Sequence, residues 1–293
     1  MVDFGMVLTA MVSPFKKDGS MDYMTAESLA AYLAENGSDG IVVHGTTGES
    51  PTLTHEEEYE LYRVVKKAVG KKVKIIAGTG SNSTETSIRS TKMAEKIGVD
   101  GIMIVVPYYN KPPQEGMFQH YKAVAGSTGL PIIIYNIPGR TGVNMTADTV
   151  ARLAGIKNIV AIKEASGDMA QVEDIRRKTP KDFVIYSGDD DRTYPILERG
   201  GYGIISVASH IAGKEIKRMC ELFHQGKKDE AKKIHDRLSP LFKVLFITTN
   251  PAPVKAALEL IGHPVGGLRL PLIPVTNEQK EEIKKVLKDL KLV

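Results

Sequence analysis

The chain has 293 residues, of which 42% are hydrophobic and 25% charged, and its formal net charge is +4. This composition is typical of a folded globular protein. No dense basic run with interleaved aromatic residues occurs, so nucleic-acid binding is not expected. No apolar run approaches the ~20 residues that span a bilayer, and the N-terminal segment lacks the basic start of a signal peptide. The single cysteine, Cys220, allows no intramolecular disulfide and favours a cytoplasmic location.

Eight short and almost continuously apolar runs alternate with longer amphipathic stretches. Such runs are typical of parallel strands that are covered on both faces. The runs are Met6–Val12, Gly40–Val43, Val73–Ala77, Gly101–Val106, Pro131–Tyr135, Asn158–Lys163, Phe183–Ser187 and Gly203–Val207. The stretches between them carry helix signals: Thr54 and Glu57 form a capping-box pattern, and Gly70 can end that helix.

Eight strand–helix pairs predict an α/β fold, the (β/α)8 TIM barrel, over residues 1–225. The alternative is an open doubly wound sheet, but its Gly-rich fingerprint is missing after the first run, where Ser13-Pro14-Phe15 stands. Residues 226–293 show helical patterns only and predict a C-terminal helical domain. Its expected helices are Lys227–Leu238, Leu241–Thr248, Val254–Ile261 and Glu278–Leu290, with a break at Pro240.

In such a barrel the active site lies where the strands end, at their carboxyl termini. The second run is followed by Gly45–Ser50, where glycines beside Thr46 and Thr47 could present backbone N–H groups to a carboxylate or phosphate. A plain Gly-rich loop is the alternative. Tyr109, Tyr135 and Arg140 lie at or after the ends of the fourth and fifth runs. A phenol can relay a proton and a guanidinium can bind a carboxylate, although aromatic side chains at a barrel rim also simply fill space.

The sixth run ends in Ile162-Lys163-Glu164. An ammonium group cannot attack a carbonyl, but burial among apolar walls disfavours the charged form of a lysine and frees its amine. A lysine at this position is therefore a candidate for forming an imine with a carbonyl substrate. The alternative is structural, with Lys163 paired to Glu49 or Glu164.

Three acidic residues, Asp189–Asp191, follow the seventh run and could suggest a metal site. We interpret them instead as residues that cap and charge the start of the next helix. The seven histidines show no H-x-x-x-H or H-E-x-x-H spacing, so no metal is expected.

Six segments together carry a family likeness. They are GTTGES at Gly45–Ser50, PYYNKPPQEG at Pro107–Gly116, YNIPGRTG at Tyr135–Gly142, IKEASGD at Ile162–Asp168, GGYGIISVAS at Gly200–Ser209 and NPAPVKAAL…LRLPL at Asn250–Leu272. In this collinear order, over essentially the whole chain, the sequence resembles the dihydrodipicolinate synthase family. These are pyruvate-dependent class I aldolases of the N-acetylneuraminate lyase superfamily.

The resemblance implies a condensation. Lys163 would form an imine with pyruvate, and the derived enamine would add to the aldehyde of L-aspartate 4-semialdehyde. Cyclisation would release 4-hydroxy-tetrahydrodipicolinate, on the route to diaminopimelate and lysine. No metal or organic cofactor is implied, because the imine itself is the electron sink.

The resemblance also assigns roles to the catalytic residues. Thr46, Tyr135 and Tyr109 would form a proton relay, with Tyr109 reaching into the site of a neighbouring subunit. Thr46 and Thr47 would hold the pyruvate carboxylate, Thr47 through its backbone N–H. Because a residue is shared between subunits, a homotetramer built from tight dimers is expected.

Further residues bind the second substrate or complete the site by resemblance. Arg140 would receive the carboxylate of the semialdehyde. Gly188 and Ile205 would line the site through main-chain groups.

An effector cleft is implied as well, because regulated members of the family bind lysine at a subunit interface. Its candidate residues are Ser50, His55, Asn82 and Tyr108. Glu58 stands where regulated members often have His, and Thr86 where they have Glu. Loss of that carboxylate predicts weak or absent inhibition by lysine.

Two other functions stay open from the sequence. The first is another pyruvate aldolase, acting on N-acetylneuraminate or a 2-keto-3-deoxy sugar acid. Arg140 argues against it, because sugar acid lyases usually lack this guanidinium. The second is a non-catalytic barrel that binds small molecules, against which the joint presence of the lysine, the tyrosines and the threonines argues.

Overall fold

Eight parallel strands, each followed by at least one helix, succeed one another in chain order in a closed barrel. The computed structural model describes residues 3–293. The strands are β1 Val7–Ala10, β2 Gly40–Val43, β3 Lys74–Gly78, β4 Gly101–Val105, β5 Ile132–Asn136, β6 Ile159–Glu164, β7 Val184–Ser187 and β8 Gly203–Ser206. All eight predicted runs are confirmed as strands, and the open doubly wound sheet is wrong.

Twelve α-helices lie in the described part of the chain. They are α1 Tyr23–Glu35, α2 His55–Val69, α3 Thr84–Ile97, α4 Gln114–Ala125, α5 Pro138–Thr141, α6 Ala147–Ala154, α7 Met169–Lys178, α8 Thr193–Glu198, α9 Ser209–His224, α10 Lys228–Val244, α11 Ala252–Leu260 and α12 Asn277–Asp289. The capping box of Thr54 and Glu57 is confirmed at the start of α2, and Gly70 ends that helix. No helix among residues 3–293 is long and apolar enough to cross a membrane.

The predicted break at Pro240 is wrong, because α10 continues through this proline to Val244. A proline inside a helix removes a backbone hydrogen bond and costs ~3 kcal/mol. On both sides of it, however, Leu238, Leu241 and Phe242 are buried, and each buried apolar side chain of this size contributes about 1.5–3 kcal/mol. Packing of the apolar face therefore outweighs the backbone defect.

The chain forms two compact units. The first comprises the described residues up to Gly5 together with Lys74–Ile205. It contains the ladders from β3 to β8, and in it Tyr135 of β5 is in register with Lys163 of β6. The core of this unit is formed by β-branched strand residues that solvent does not reach, among them Ile76, Ile134 and Ile162. This packing fixes the strand ends that carry the candidate site.

The second unit comprises Met6–Val73 and Ser206–Val293. It holds the β1–β2 ladder, in which Thr9 is in register with Ile41, and the helices from α9 to α12. The loop after β2 and the C-terminal helices therefore fold together in one unit. The domain boundary expected at residue 225 stays a prediction.

Candidate active site

Lys163 lies near the end of β6 and is buried, with 5% of its surface exposed. Its Nζ lies 4.3 Å from the centroid of the Tyr135 ring, a contact that follows from the register of β5 and β6. Tyr135 is itself buried. The structure thus brings together the predicted imine-forming amine and one predicted member of the proton relay.

The structural alternative for Lys163 required a carboxylate partner, and both candidates are engaged elsewhere. Glu49 forms an ion pair with Lys255, with 2.6 Å between Oε1 and Nζ. Glu164 accepts hydrogen bonds from the side-chain amides of Asn136 at 3.1 Å and Gln171 at 3.2 Å, and from the backbone N–H of Ser166 at 2.7 Å.

Burial raises the pKa of the Glu164 carboxyl, although these hydrogen bonds oppose the shift. The Glu164 carboxyl is thus held on its own set of partners. Among residues 3–293, Lys163 has no ion-pair partner within 4.0 Å, so its amine is available for chemistry.

Gly188 follows β7 and lies directly against the lysine. Its N–H donates to the Glu164 carbonyl at 2.8 Å, and a Cβ at this position would lie 3.2 Å from Lys163 Cε and 2.5 Å from Ala165 Cβ. Only a glycine fits this close approach. The structure therefore places Gly188 beside Lys163. Ile205, another predicted residue of the site, is fully buried in β8.

Asp189 departs from the sequence interpretation. It precedes a 3-10 turn at Asp190–Arg192, but its side chain makes no capping hydrogen bond there. Burial raises the pKa of its carboxyl to about 6, while the nearby charge of Lys163 acts to lower that pKa. The capping role expected of Asp189 is wrong, because its side chain makes no capping hydrogen bond, whereas Asp190 and Asp191 lie in the first turn of the 3-10 helix as expected. Sequence reasoning thus missed an acidic neighbour of Lys163.

Tyr109 lies on the loop after β4, and Arg140 lies in the short helix α5 that follows β5. The Tyr109 N–H donates to the Thr141 carbonyl at 3.4 Å, which joins the loop after β4 to α5, where Arg140 lies. Tyr109 is 88% exposed and has a left-handed φ of 72°. Arg140 is exposed, and within the described residues its guanidinium forms no ion pair. Both side chains are therefore accessible to groups from outside this chain.

Thr46 and Thr47 lie in the turn after β2. The N–H groups of Gly48, Glu49 and Ser50 close this turn on the carbonyls of Gly45 and Thr46. Over residues 3–293, the N–H groups of Thr46 and Thr47 donate to no other group. The turn thus offers two adjacent backbone donors, which is what an anion cradle requires.

The effector-cleft candidate His55 lies against Glu58, and the candidate Ser50 begins the 3-10 turn Ser50–Thr52. Glu58 is buried, and its carboxylate accepts from Tyr62 Oη at 2.9 Å and lies 3.0 Å from His55 Nδ1. His44 Nδ1 is 3.5 Å from the same carboxylate. The Glu58 carboxylate is therefore surrounded by side chains of its own unit. In the other unit, the Asn82 carbonyl accepts from Asn110 Nδ2 at 2.9 Å, and Tyr108 is exposed.

Two further residues of the NPAPVKAAL segment contact the threonine turn. Asn250 Nδ2 donates to Thr47 Oγ1 at 2.9 Å, and Lys255 holds Glu49. The segment itself was visible in the sequence, but nothing in its pattern indicated these contacts. Among residues 3–293, no group of three or more His, Cys, Asp or Glu side chains is arranged to hold a metal ion.

The chain is similar to known proteins over nearly its whole length. The model of the Dihydrodipicolinate synthetase family matches residues 3–290. A 4-hydroxy-tetrahydrodipicolinate synthase of Moorella thermoacetica is 57% identical and one of Cyanothece sp. is 53% identical, and each alignment covers 100% of both chains. A crystal structure of DHDPS from Cyanidioschyzon merolae with lysine bound is 55% identical, with a TM-score of 0.98 over 99% of each chain. The chain belongs to the dihydrodipicolinate synthetase family.

Proposed function

We infer that the chain is a 4-hydroxy-tetrahydrodipicolinate synthase, a lyase of lysine and diaminopimelate biosynthesis that condenses pyruvate with L-aspartate 4-semialdehyde. The curated names at 53–57% identity over the full chain support this activity. The observation that carries it in the molecule is the amine of Lys163, buried beside the Tyr135 ring and paired with no carboxylate. Such an amine is the group that imine chemistry needs.

The reaction begins with attack of the Lys163 amine on the C2 ketone of pyruvate, which releases water and forms an imine. Loss of a methyl proton then gives an enamine, and its carbon attacks the aldehyde of the semialdehyde. The amino group of this second substrate next attacks the former ketone carbon and displaces the lysine. The ring closes as 4-hydroxy-tetrahydrodipicolinate, and the free amine of Lys163 is restored.

Each carboxylate and each proton transfer has a proposed protein partner. The free N–H groups of Thr46 and Thr47 support a role in binding the pyruvate carboxylate. The unpaired guanidinium of Arg140 suits the carboxylate of the semialdehyde. The Tyr135 ring beside the amine supports the proposal that this phenol passes protons in a relay with Thr46 and Tyr109. The residues invoked require no metal or organic cofactor, so we expect full activity in the presence of a chelator.

Borohydride trapping tests the central step. Reduction in the presence of pyruvate should fix one reduced pyruvate on the chain, and mass spectrometry should locate it at Lys163. Lys163→Ala should lose the adduct completely, while Lys157→Ala, just before the same strand, should keep it. An adduct on another lysine would refute the assignment of Lys163, and no adduct on any residue would refute imine catalysis.

The aldehyde substrate is tested separately. We expect kcat/KM with L-aspartate 4-semialdehyde to exceed that with sugar-derived aldehydes by orders of magnitude. Arg140→Lys keeps the positive charge but removes the bidentate hydrogen-bond donor. This substitution should raise the KM for the semialdehyde and change the KM for pyruvate little. Higher kcat/KM with a sugar aldehyde would contradict the proposed substrate.

We propose a cytoplasmic homotetramer built from tight dimers. The 88% exposure of Tyr109 supports this, because a phenol that packs on nothing in its own chain can serve a neighbouring subunit. Sedimentation should show a tetramer at assay concentration. A fully active monomer would contradict the sharing of Tyr109.

We also propose that lysine inhibits this enzyme weakly or not at all. Glu58 is buried and already bonded to Tyr62 and His55, so its carboxylate is not offered to the ammonium group of an effector. Thr86 supplies no carboxylate either. Strong inhibition by lysine at sub-millimolar concentration in a steady-state assay would refute this proposal.

A further inference from the structure

The turn that carries Thr46 and Thr47 is held from the C-terminal part of the chain. Asn250, just before α11, donates from Nδ2 to Thr47 Oγ1 at 2.9 Å, and both residues are only 4% exposed. The hydroxyl of Thr47 is thereby fixed by a residue 203 positions away in the sequence. Breaking this buried bond would leave a polar group unsatisfied, so the bond restrains the Thr47 side chain and the turn that carries it.

Glu49 is held two residues further along the same turn. It has a left-handed φ of 53°, a conformation that an L-residue adopts only when its surroundings impose it. Lys255 in α11 contacts its Oε1 at 2.6 Å, and the N–H of Arg269 donates to its Oε2 at 3.1 Å. The turn is therefore clamped at both Thr47 and Glu49.

Two backbone donors of this turn, close to the end of β2, form no hydrogen bond with the described residues. The N–H groups of Thr46 and Thr47 donate to nothing among residues 3–293, whereas those of Gly48, Glu49 and Ser50 are all taken by the turn. A second observation concerns Asn250: its Oδ1 is buried and has no hydrogen-bond partner in the described chain. An asparagine retained only for stability would normally satisfy both ends of its amide.

We propose that Asn250 and Lys255 are positioning residues for pyruvate. They hold the turn so that the two free N–H groups of Thr46 and Thr47 converge on the substrate carboxylate. This inference rests on the proposed function, in which that turn binds pyruvate. It gives the NPAPVK segment of the C-terminal helices a part in substrate binding, although neither Asn250 nor Lys255 touches substrate.

A double-mutant cycle between Asn250 and Thr47 tests the inference in the full-length protein. The variants are Asn250→Ala, Thr47→Val and the double variant. For each, borohydride trapping at graded pyruvate concentrations gives the half-saturating concentration for imine formation, and steady-state assays give kcat. Asn250→Ala should raise the half-saturating concentration about fivefold, the effect of one net hydrogen bond, and change kcat less than about twofold. In the Thr47→Val background the same substitution should add less than about twofold.

Asn158→Ala is the matched control. Asn158 also uses its part-buried amide to hold carbonyls, those of Ala125, Thr128 and Leu130, but it lies before β6, at the opposite end from Lys163. Its loss should lower the melting temperature and leave the half-saturating pyruvate concentration unchanged. If Asn250→Ala does not fold, Asn250→Ser takes its place in the cycle, because its short hydroxyl cannot reach Thr47.

The outcomes are distinct. If the two single effects multiply in the double variant, or if Asn250→Ala lowers the melting temperature without moving the pyruvate concentration, Asn250 is structural only and the inference is overturned. If the unmodified chain traps no pyruvate at all, the proposed function fails, and the inference fails with it. Trapping by the unmodified chain, together with the coupled shift in Asn250→Ala, supports both.

Discussion

Replacement of Lys255 by methionine should destabilise the protein more than any other single loss of an ion pair. The Lys255–Glu49 pair is buried, with side-chain exposures of 3% and 0%. Besides contacting Glu49 at 2.6 Å, the ammonium donates to the Ser13 carbonyl at 2.8 Å and the Gly267 carbonyl at 2.7 Å. Two of its three donors are thus bonded to carbonyls, and its charge faces the Glu49 carboxylate. Methionine has a similar length but supplies none of them.

The size of the effect follows from what is left behind. Without the ammonium, the Glu49 carboxylate stays buried with only the N–H of Arg269 as a donor. Removal of one partner from a buried pair costs about 3–5 kcal/mol, mostly as the penalty of the charge that remains. At roughly 2–4 °C per kcal/mol for a chain of this size, the melting temperature should fall by roughly 10 °C. Glu49→Gln in the Lys255→Met background removes that charge and should recover about half of the loss.

Thermal and urea unfolding at fixed protein concentration and pH 7 provide the measurement. Lys280→Met is the matched control. Lys280 of α12 pairs at 2.9 Å with Glu259 of α11, the helix that also carries Lys255, but the side chains of this pair are 36% and 56% exposed. An exposed pair contributes about 0–1 kcal/mol, so the control should scarcely change stability. Equal effects of Lys255→Met and Lys280→Met, or a double variant less stable than Lys255→Met alone, would refute the reasoning.

Three further predictions concern titration and turnover. Burial lowers the pKa of His210 to about 4. Its contribution to the free energy of unfolding is therefore complete above pH ~6.5 and is lost as pH falls through 4. Between pH 7 and 4.5, the free energy of unfolding measured in urea should fall by roughly 2–3 kcal/mol less in His210→Gln than in the unmodified chain. Burial raises the pKa of Asp189 to about 6, so its contribution is present below pH ~3.8 and is lost as pH rises through 6. From pH 4 to pH 8, the free energy of unfolding of Asp189→Asn should therefore rise by up to roughly 3 kcal/mol relative to that of the unmodified chain. Equal pH dependence of this free energy in the two proteins would show that the carboxyl is not desolvated. Tyr109→Phe should reduce kcat about 10²-fold or more, as for loss of a proton-transfer group, with an unchanged melting temperature, because the side chain is 88% exposed; normal turnover would remove Tyr109 from the relay.

The part of the site that sequence could predict consists of groups whose position along a strand fixes their neighbours. Lys163 and Tyr135 end adjacent strands, so strand order and register alone bring their side chains together. Gly188 follows the next strand, and its contact with Lys163 is of the same kind. These contacts depend on local pattern and on the strand order of a barrel, both of which can be read from a single sequence.

The contacts of the site that could not be predicted from sequence join segments far apart in the chain, and no local residue pattern links those segments. The bond from Asn250 to Thr47 spans 203 residues, and the ion pair of Lys255 with Glu49 joins a helix to a turn. Asp189 was expected to cap a helix because acidic residues are common at helix starts, but it makes no capping hydrogen bond, and its partly buried carboxyl instead interacts with the charge of Lys163. In each case the partner depends on which side chains the folded chain brings within hydrogen-bonding distance.

The eight strands and the ends of α2 could be predicted from the residue pattern, because hydrophobic period and capping chemistry act over a few residues. The same pattern placed Lys163 at the end of a strand, where we propose that it reacts. Tertiary structure alone decided that α10 continues through Pro240, since only the packing of Leu241 and Phe242 outweighs the proline. It also decided which carboxylates are paired away from Lys163, and so left its amine free. Burial and partner choice are properties of the whole fold, and a carboxylate has no preference for one lysine over another until the chain has folded.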